Sequence, residues 1–309
     1  MALTINELNT VSDKYYDPTI PQQVYEDSAF TAILQSKNKI IKKGGESIQF
    51  GVRYQKLGTS GKTGFRTKVD FSSKQTRTGA VLSWMPMQGY TMMHWDEKVK
   101  NRGKSAIIDL QKDKAVELKE DFQDAFSSIL WGTETDSIAP LTQIVDSADT
   151  YAGIAVSDVA AWAAIEDSSS TVLTLSLLMS LRNQATFGKH KPTHHFTTLD
   201  LASRYELMLE PKERYYDKDM ANLGFDTVTF YGKPVIGDEY VSSGDWYGLD
   251  MTVFELLVQE GNDMNITPWF SLEQAGFPNA IAKYMSSVMN LVCHIRKSNF
   301  KLTALDADL

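Results

Sequence analysis

The side chains with chemical potential fall into three groups: a histidine set, one cysteine, and a long run of cations. His190, His194 and His195 form the only close histidine set in the 309 residues. Two histidines at i and i+4 bind zinc when a helix turns both rings to one face. Pro192 stands between His190 and His194 and argues against that helix. In an extended chain the two would lie roughly 13 Å apart, and His194 and His195 would point to opposite faces. A metal-dependent hydrolase built on these three histidines is the enzymatic alternative; polar residues ahead of a strand are the simpler reading. Cys293 is the single cysteine, which excludes an internal disulfide and a thiolate zinc cluster. Flanked at strand spacing by Leu291 and Ile295, it reads as a buried structural thiol rather than a nucleophile.

The cations are more informative. Between Gly51 and Lys104 the chain carries eleven basic and three acidic residues, while the remainder carries 20 basic against 36 acidic. The net charge of −8 argues against a dedicated nucleic-acid binder. A basic piece on an acidic bulk can instead attract copies of the same chain. Part of this run, Gly58-Thr59-Ser60-Gly61-Lys62-Thr63, looks like the end of a phosphate-binding loop. That pattern needs a glycine where Lys56 stands, and a helix where more Gly and Ser follow. Ser36-x-x-Lys39 with Lys62-Thr63-Gly64 matches two elements of penicillin-recognising enzymes. The Ser-Asp-Asn element is missing, however, and there is no Gly-x-Ser-x-Gly elbow. No catalytic constellation and no cofactor motif survives.

The elements that must position these residues follow from periodicity. Residues 1–43 read as an arm: Asp17-Pro18 and Ile20-Pro21 break structure early, and Val24, Phe30, Ile33 and Leu34 form a short amphipathic stretch. Ile48, Phe50 and Val52 alternate with Gln49, Gly51 and Arg53, which predicts a strand. Leu57 to Gly79 is rich in Gly, Ser, Thr, Lys and Arg, and Val81 to Met93 reads as extended again. Together they predict a long basic hairpin. Ser105 to Trp131 places Ile108, Ala115, Leu118, Phe122, Phe126 and Ile129 on one stripe and Asp109, Asp113, Glu117, Glu120, Asp121 and Asp124 opposite it. That predicts a helix of roughly 40 Å. Beyond Thr133 the expected elements are helices at Ser157 to Ala164, Leu173 to Ala185 and Leu199 to Leu209. Short strands are expected at His195 to Thr198, Phe225 to Phe230, Lys233 to Gly237 and Asp245 to Asp250. From Tyr284 the chain alternates once more, Lys297-Ser298-Asn299 supplies a turn, and Lys301 to Leu305 is expected to return.

Composition bounds the class. Mean hydropathy is −0.27 and 42% of residues are hydrophobic, so the chain has material for a core. No apolar run approaches the ~18 residues a membrane helix needs. The opening residues lack the pattern of a signal peptide. A protruding hairpin, an arm and a spine-like helix bury little within one subunit, which points to assembly rather than chemistry.

Several stretches carry a resemblance. They are Tyr151-Ala152-Gly153-Ile154 followed by Trp162, Thr197-Thr198-Leu199-Asp200 through Tyr205, and Tyr231-Gly232-Lys233-Pro234-Val235-Ile236-Gly237-Asp238. Trp246 through Asp250 and His294 through Asn299 follow. In this order the chain resembles major capsid proteins of tailed bacteriophages of the Hong Kong 97 type. The resemblance implies an α+β fold divided into an N-terminal arm (1–43), an extended loop (44–93), a peripheral domain with the spine helix (94–145), an axial domain (146–283) and closing peripheral strands (284–309). It implies a structural, non-enzymatic subunit that forms hexamers and pentamers of an icosahedral head around double-stranded DNA. The expected location is the virion, after assembly in the host cytoplasm, with no membrane and no cofactor. No long scaffold-like segment precedes the arm, so a separate scaffolding protein and a portal are the expected partners; a decoration or tail protein is the other virion alternative. No self-crosslinking Lys–Asn pair is marked. The residues expected at inter-subunit contacts are Arg53, Lys56, Lys62, Arg66, Lys68 and Arg77 on the hairpin, against Asp113, Glu117 and Asp121 on the spine helix.

Overall fold

The computed structural model describes residues 29–58, 60, 62, 74–100, 104–134, 136–169, 172–209 and 228–306, apart from the side chains of Lys98 and of residues 104–109. The chain divides into two compact units, each assembled from separated stretches.

Unit 1 comprises residues up to Gly45, Trp84–Pro140 and Glu255–Val292. Its long helix α3 (Lys104–Trp131) follows α1 (Ala29–Ser36) and α2 (Trp95–Lys100). Ala115, Leu118, Phe122 and Phe126 recur at three- and four-residue spacing and are buried, as the periodicity predicts. They face a mixed sheet of β1 (Ile40–Lys43), β10 (Phe254–Gln259), β13 (Ile281–Cys293), β11 (Asn265–Ile266), β12 (Phe270–Ser271) and β4 (Met85–Met93). The close approach is at Gly89 of β4. A Cβ there would lie 3.2 Å from Leu118 Cδ1 and 3.4 Å from Phe122 Cδ2. Residues 1–28 of the expected arm lie outside the described residues. Residues 29–43 form α1, with Phe30 fully buried and edge-on to Trp131, and β1, which runs parallel to β10.

Unit 2 comprises Glu46–Ser83, Leu141–Phe254 and Cys293–Leu309. Its six-stranded sheet runs β5 (Ile165–Asp167), β14 (Phe300–Leu302), β9 (Trp246–Leu249), β6 (His194–Thr197), β8 (Lys233–Gly237) and β7 (Val228–Phe230). Helices α5 (Leu175–Ala185) and α6 (Leu199–Met208) contribute Leu178, Leu181, Leu201 and Tyr205 to its core, where they join Phe230, Trp246, Phe300 and Leu302. Thr174 and Thr198 cap the two helices by accepting from the backbone N–H three residues on. A two-stranded hairpin, β2 (Ile48–Arg53) with β3 (Arg77–Leu82), completes the unit.

Three expectations need correction, and one strand has no counterpart among them. Val81 to Met93 is not one extended segment: β3 ends at Leu82 in the hairpin, and β4 begins at Met85 in the other unit's sheet. Ser157 to Ala164 is a turn followed by a single 3-10 turn, Ala160–Trp162, because the Trp162 indole N–H donates to the Tyr151 carbonyl at 3.2 Å and fixes it there. The return strand β14 does not fold back on β13; it pairs antiparallel with β9 and parallel with β5. Finally β10, Phe254 to Gln259, was not expected. Its apolar run is buried and shows no alternation to announce a strand.

Candidate assembly surface

The hairpin is anchored at one end and solvated at the other. Ile48, Val52 and Ala80 are buried, and Phe50 stands edge-on to His294 with ring centroids 5.2 Å apart. The Val81 N–H donates to the Ala152 carbonyl at 3.0 Å. That carbonyl belongs to a tight turn, Tyr151–Ile154, whose central residues Ala152 and Gly153 both have positive φ, at 53° and 72°. Two such residues in sequence match a primed hairpin turn.

Away from the anchor the cations collect. Register places Arg53 directly opposite Arg77, and both are exposed. Lys56, Lys62 and Lys74 follow, also exposed. Among the described residues no ion pair involves any of these five. Arg66 and Lys68 lie outside the described residues. On α3, Asp113, Glu117, Glu120, Asp121 and Asp124 are exposed, so the expected acidic face is a surface. Glu117 has a local partner, with Lys114 Nζ at 3.6 Å one turn earlier. The hairpin cations belong to unit 2 and these carboxylates to unit 1.

The residue that ties the anchor together lies in the stretch His294 through Asn299. Arg296 is fully buried. Its Nε donates to the Ile144 carbonyl at 2.7 Å, Nη1 to Asp149 at 3.0 Å, and Nη2 to Gln143 and Asp146 at 3.1 and 2.9 Å. The guanidinium sits 5.7 Å from the Tyr151 ring centroid and 5.8 Å from that of Trp162, and those two rings stack. Burial lowers the arginine pKa by desolvating its charge, and the nearby Cys293, Asp146, Tyr151 and Asp149 only partly oppose that shift. Arg296 thus fixes the last carbonyls of α4 (Leu141–Ile144) and two that follow it, hence the Tyr151 turn, hence the base of the hairpin. Nothing in the local pattern distinguishes this arginine from an exposed one.

The histidine set disperses. His190 Nδ1 lies 3.3 Å from the buried Asp250 carboxylate, and His194 Nδ1 lies 2.9 Å from the Thr193 hydroxyl. His195 is enclosed by Phe230, Trp246 and Phe300. The Trp246 indole donates to His195 Nδ1 at 3.3 Å, which leaves the ring proton on Nε2, and Nε2 has no hydrogen-bond partner. Desolvation pulls this imidazole down to about 3, so it stays neutral. Among the described residues no group of three or more His, Cys, Asp or Glu side chains is placed to hold a metal ion. Cys293 is buried, and burial pushes its thiol up to about 12. That is a structural thiol, not a nucleophile.

No protein-family model matches the chain, and no curated protein matches it. Solved structures do. The capsid chain of cyanophage A-1(L) superposes with a TM-score of 0.64 at 17% identity, over 89% of this chain and 92% of that one. The capsid of a native GTA particle gives 0.59 at 10% identity, over 88% and 90%. The SrpI encapsulin of Synechococcus elongatus gives 0.53 at 11% identity, over 100% and 98%. At such identities the likeness is one of fold, and the fold of this chain is the Hong Kong 97-like capsid fold.

Proposed function

We propose that this chain is the major capsid subunit of a tailed bacteriophage, a structural protein that assembles into hexamers and pentamers of an icosahedral shell around double-stranded DNA. The observation that carries the reading is a shell-protein fold spanning nearly all of both chains, 89% and 92% for the cyanophage capsid. Unit 1, with the spine helix, takes the role of the peripheral domain, and the sheet of unit 2 that of the axial domain. The subunit sits in the virion capsid after assembly in the host cytoplasm, with a separate scaffolding protein and a portal as partners.

Within that reading, the hairpin cations Arg53, Lys56, Lys62, Arg66, Lys68 and Arg77 meet the acidic face around Asp113, Glu117 and Asp121 of a neighbouring copy. A single exposed ion pair contributes only about 0–1 kcal/mol, but the contact recurs at every subunit junction. At about 0.15 M salt, screening acts over roughly 8 Å, so encounter weakens as salt rises.

Negative-stain microscopy of the purified chain, with and without a co-expressed candidate scaffold, tests the shell. Closed particles enclosing nuclease-protected DNA are expected in infected cells, and closed empty particles from the recombinant chain. A small fixed oligomer or a tube under both conditions would overturn the proposal. Charge exchange tests the contact. Asp113, Glu117 and Asp121 changed to Lys should abolish particles while leaving helix content intact. Arg53, Lys62 and Arg66 changed to Glu in that background should restore part of the yield. Normal assembly of the first variant, or no rescue by the second set, would assign the hairpin another partner.

A further inference from the structure

We propose that the cleft beside the cationic end of the hairpin ladder docks an extended acidic peptide segment of another polypeptide, anchored by one apolar side chain. The cleft has a volume of about 610 Å³ and lies between residues Arg53–Gly58 and Phe187. That is the size of an ordinary ligand site. Its charge has one sign. Arg53 and Lys56 line it, no carboxylate does among the described residues, and Lys297 Nζ stands over the Phe187 ring at 5.8 Å from the centroid. Among the described residues none of these three cations has an ion-pair partner. Arg53 also faces Arg77 across the ladder, an opposition of like charges that an anion relieves.

The wall is apolar as well as basic. Leu57 and Phe187 both line the cleft and are each 48% exposed. The backbone supplies a third feature. The Tyr54 N–H still bonds the Thr76 carbonyl at 3.2 Å, but beyond it Gln55, Lys56, Leu57 and Gly58 form no backbone hydrogen bond among the described residues. An extended peptide can satisfy such groups by lying alongside, as in strand addition. A nucleic acid would use the cations and the amide N–H groups, but its phosphates cannot donate to the free carbonyls and it gains little from the aliphatic Leu57. The combination of cations, an apolar anchor site and free backbone groups therefore favours peptide. This inference does not rest on the shell reading. A peptide bound here would occupy Arg53 and Lys56, so its contact and the neighbour's contact exclude each other at those residues.

Fluorescence anisotropy with the full chain tests the proposal. The probe is a labelled octapeptide of alternating Glu and Leu; alternating Glu and Ser, oligothymidylate and inorganic phosphate are the comparisons. Saturable binding of the Glu–Leu peptide is expected, with the Glu–Ser peptide weaker. Arg53→Glu with Lys56→Glu should weaken binding about ten-fold or more, and Phe187→Ser by at least about three-fold, since loss of a buried contact and of a charge pair both act at one site. Circular dichroism should be unchanged in both variants. The Asp113→Lys, Glu117→Lys, Asp121→Lys chain keeps the cleft and should bind as before, whatever its effect on particles. No saturable binding, equal binding of Glu–Ser, insensitivity to both cleft variants, loss in the helix variant, or tighter binding of oligothymidylate or phosphate would each overturn the proposal.

Discussion

Two glycine sites in unit 2 show how differently its parts are held. In the sheet, Gly248 of β9 lies directly between His195 of β6 and Phe300 of β14. A Cβ there would be 2.1 Å from Phe300 Cε1, and the missing side chain lets the His195 and Phe300 rings approach to 5.8 Å. In the hairpin, Gly51 of β2 faces Gly79 of β3, and a Cβ at either would meet nothing within 4 Å. One glycine pair of neighbours is packed from both sides; the other pair is open on both. The sheet draws its stability from its own chain. The outer hairpin draws little, and keeps its shape through the ladder and an anchored base, so substitutions in the two regions should separate folding from assembly.

The largest effect is expected where the anchor is made. Arg296→Met removes a donor set that bonds four carbonyls, that of Ile144 buried and those of Gln143, Asp146 and Asp149 in part-buried bonds. Hydrogen bonds from a charged donor contribute about 1.5–3 kcal/mol each and the orphaned buried acceptor costs about 1–3 kcal/mol, so a loss of about 4 kcal/mol is expected. That is comparable with the whole stability of many domains, about 5–15 kcal/mol. Urea denaturation, or failure to accumulate soluble chain, reads it out. A loss under about 1 kcal/mol would show that solvent replaces the guanidinium and that the turn does not depend on it.

Gly248→Ala comes next. Forced overpacking typically costs about 1–3 kcal/mol, and a methyl inside the contact distance of a ring belongs at the upper end. Adding Phe300→Leu should recover part of the loss, because the three atoms nearest to that Cβ all belong to Phe300. Equal unfolding midpoints for single and double variants would place the strain in the backbone instead.

His195 gives a pH signature to the same row. Its folded pKa, about 3, lies below the ordinary histidine value of 6.5. The unfolded chain therefore binds one more proton than the folded one between those values. The stabilisation is present above about pH 6.5 and is lost as pH falls toward about 3. Asp149 and Asp245 have raised pKa values through burial, so they act in the opposite direction at the acid end. The difference between parent and His195→Gln isolates the imidazole. Between about pH 6 and about pH 4, the parent's unfolding free energy should fall more steeply by about 1.4 kcal/mol per pH unit. Parallel slopes would mean that the ring is protonated in the fold.

These particulars also mark how far the sequence was legible. Periodicity identified α3 and its buried stripe from Ala115, Leu118, Phe122 and Phe126, because helix spacing is a local property. Lys233–Gly237 was read to the residue, since Gly232 and Gly237 bracket an apolar run. The exposed cations and carboxylates were legible as surfaces for the same reason. The Arg296 carbonyl set was not, since its partners lie 147 to 153 residues earlier in the chain. Nor was the contact of Gly248 with Phe300, which exists only once β14 joins β9. The break between β3 and β4 was hidden because Ser83 and Trp84 interrupt an extended pattern without a Gly or Pro, and the unit boundary falls between them. The cleft beside Phe187 was hidden likewise, because it joins residues more than a hundred positions apart.

The smallest effect on folding, and the sharpest on assembly, is expected at the open glycine pair. Gly51→Val and Gly79→Val place β-branched side chains on a strand with free space around both Cβ positions. Strand propensity favours the change by a fraction of the ~1 kcal/mol span of that scale, so the isolated subunit should unfold at the same urea concentration or slightly higher. A glycine inside a strand often marks a place where another backbone approaches closely. Two facing glycines beside Arg53 and Arg77 leave room for such an approach at the part of the hairpin assigned to a neighbouring copy. Particle yield from the double variant should therefore fall sharply while the subunit's unfolding midpoint holds. Normal particles would show that the neighbour contacts the cations at their tips and never reaches the strand backbone. A lowered midpoint would show that the hairpin is packed within its own subunit after all, and the contrast with Gly248 would collapse.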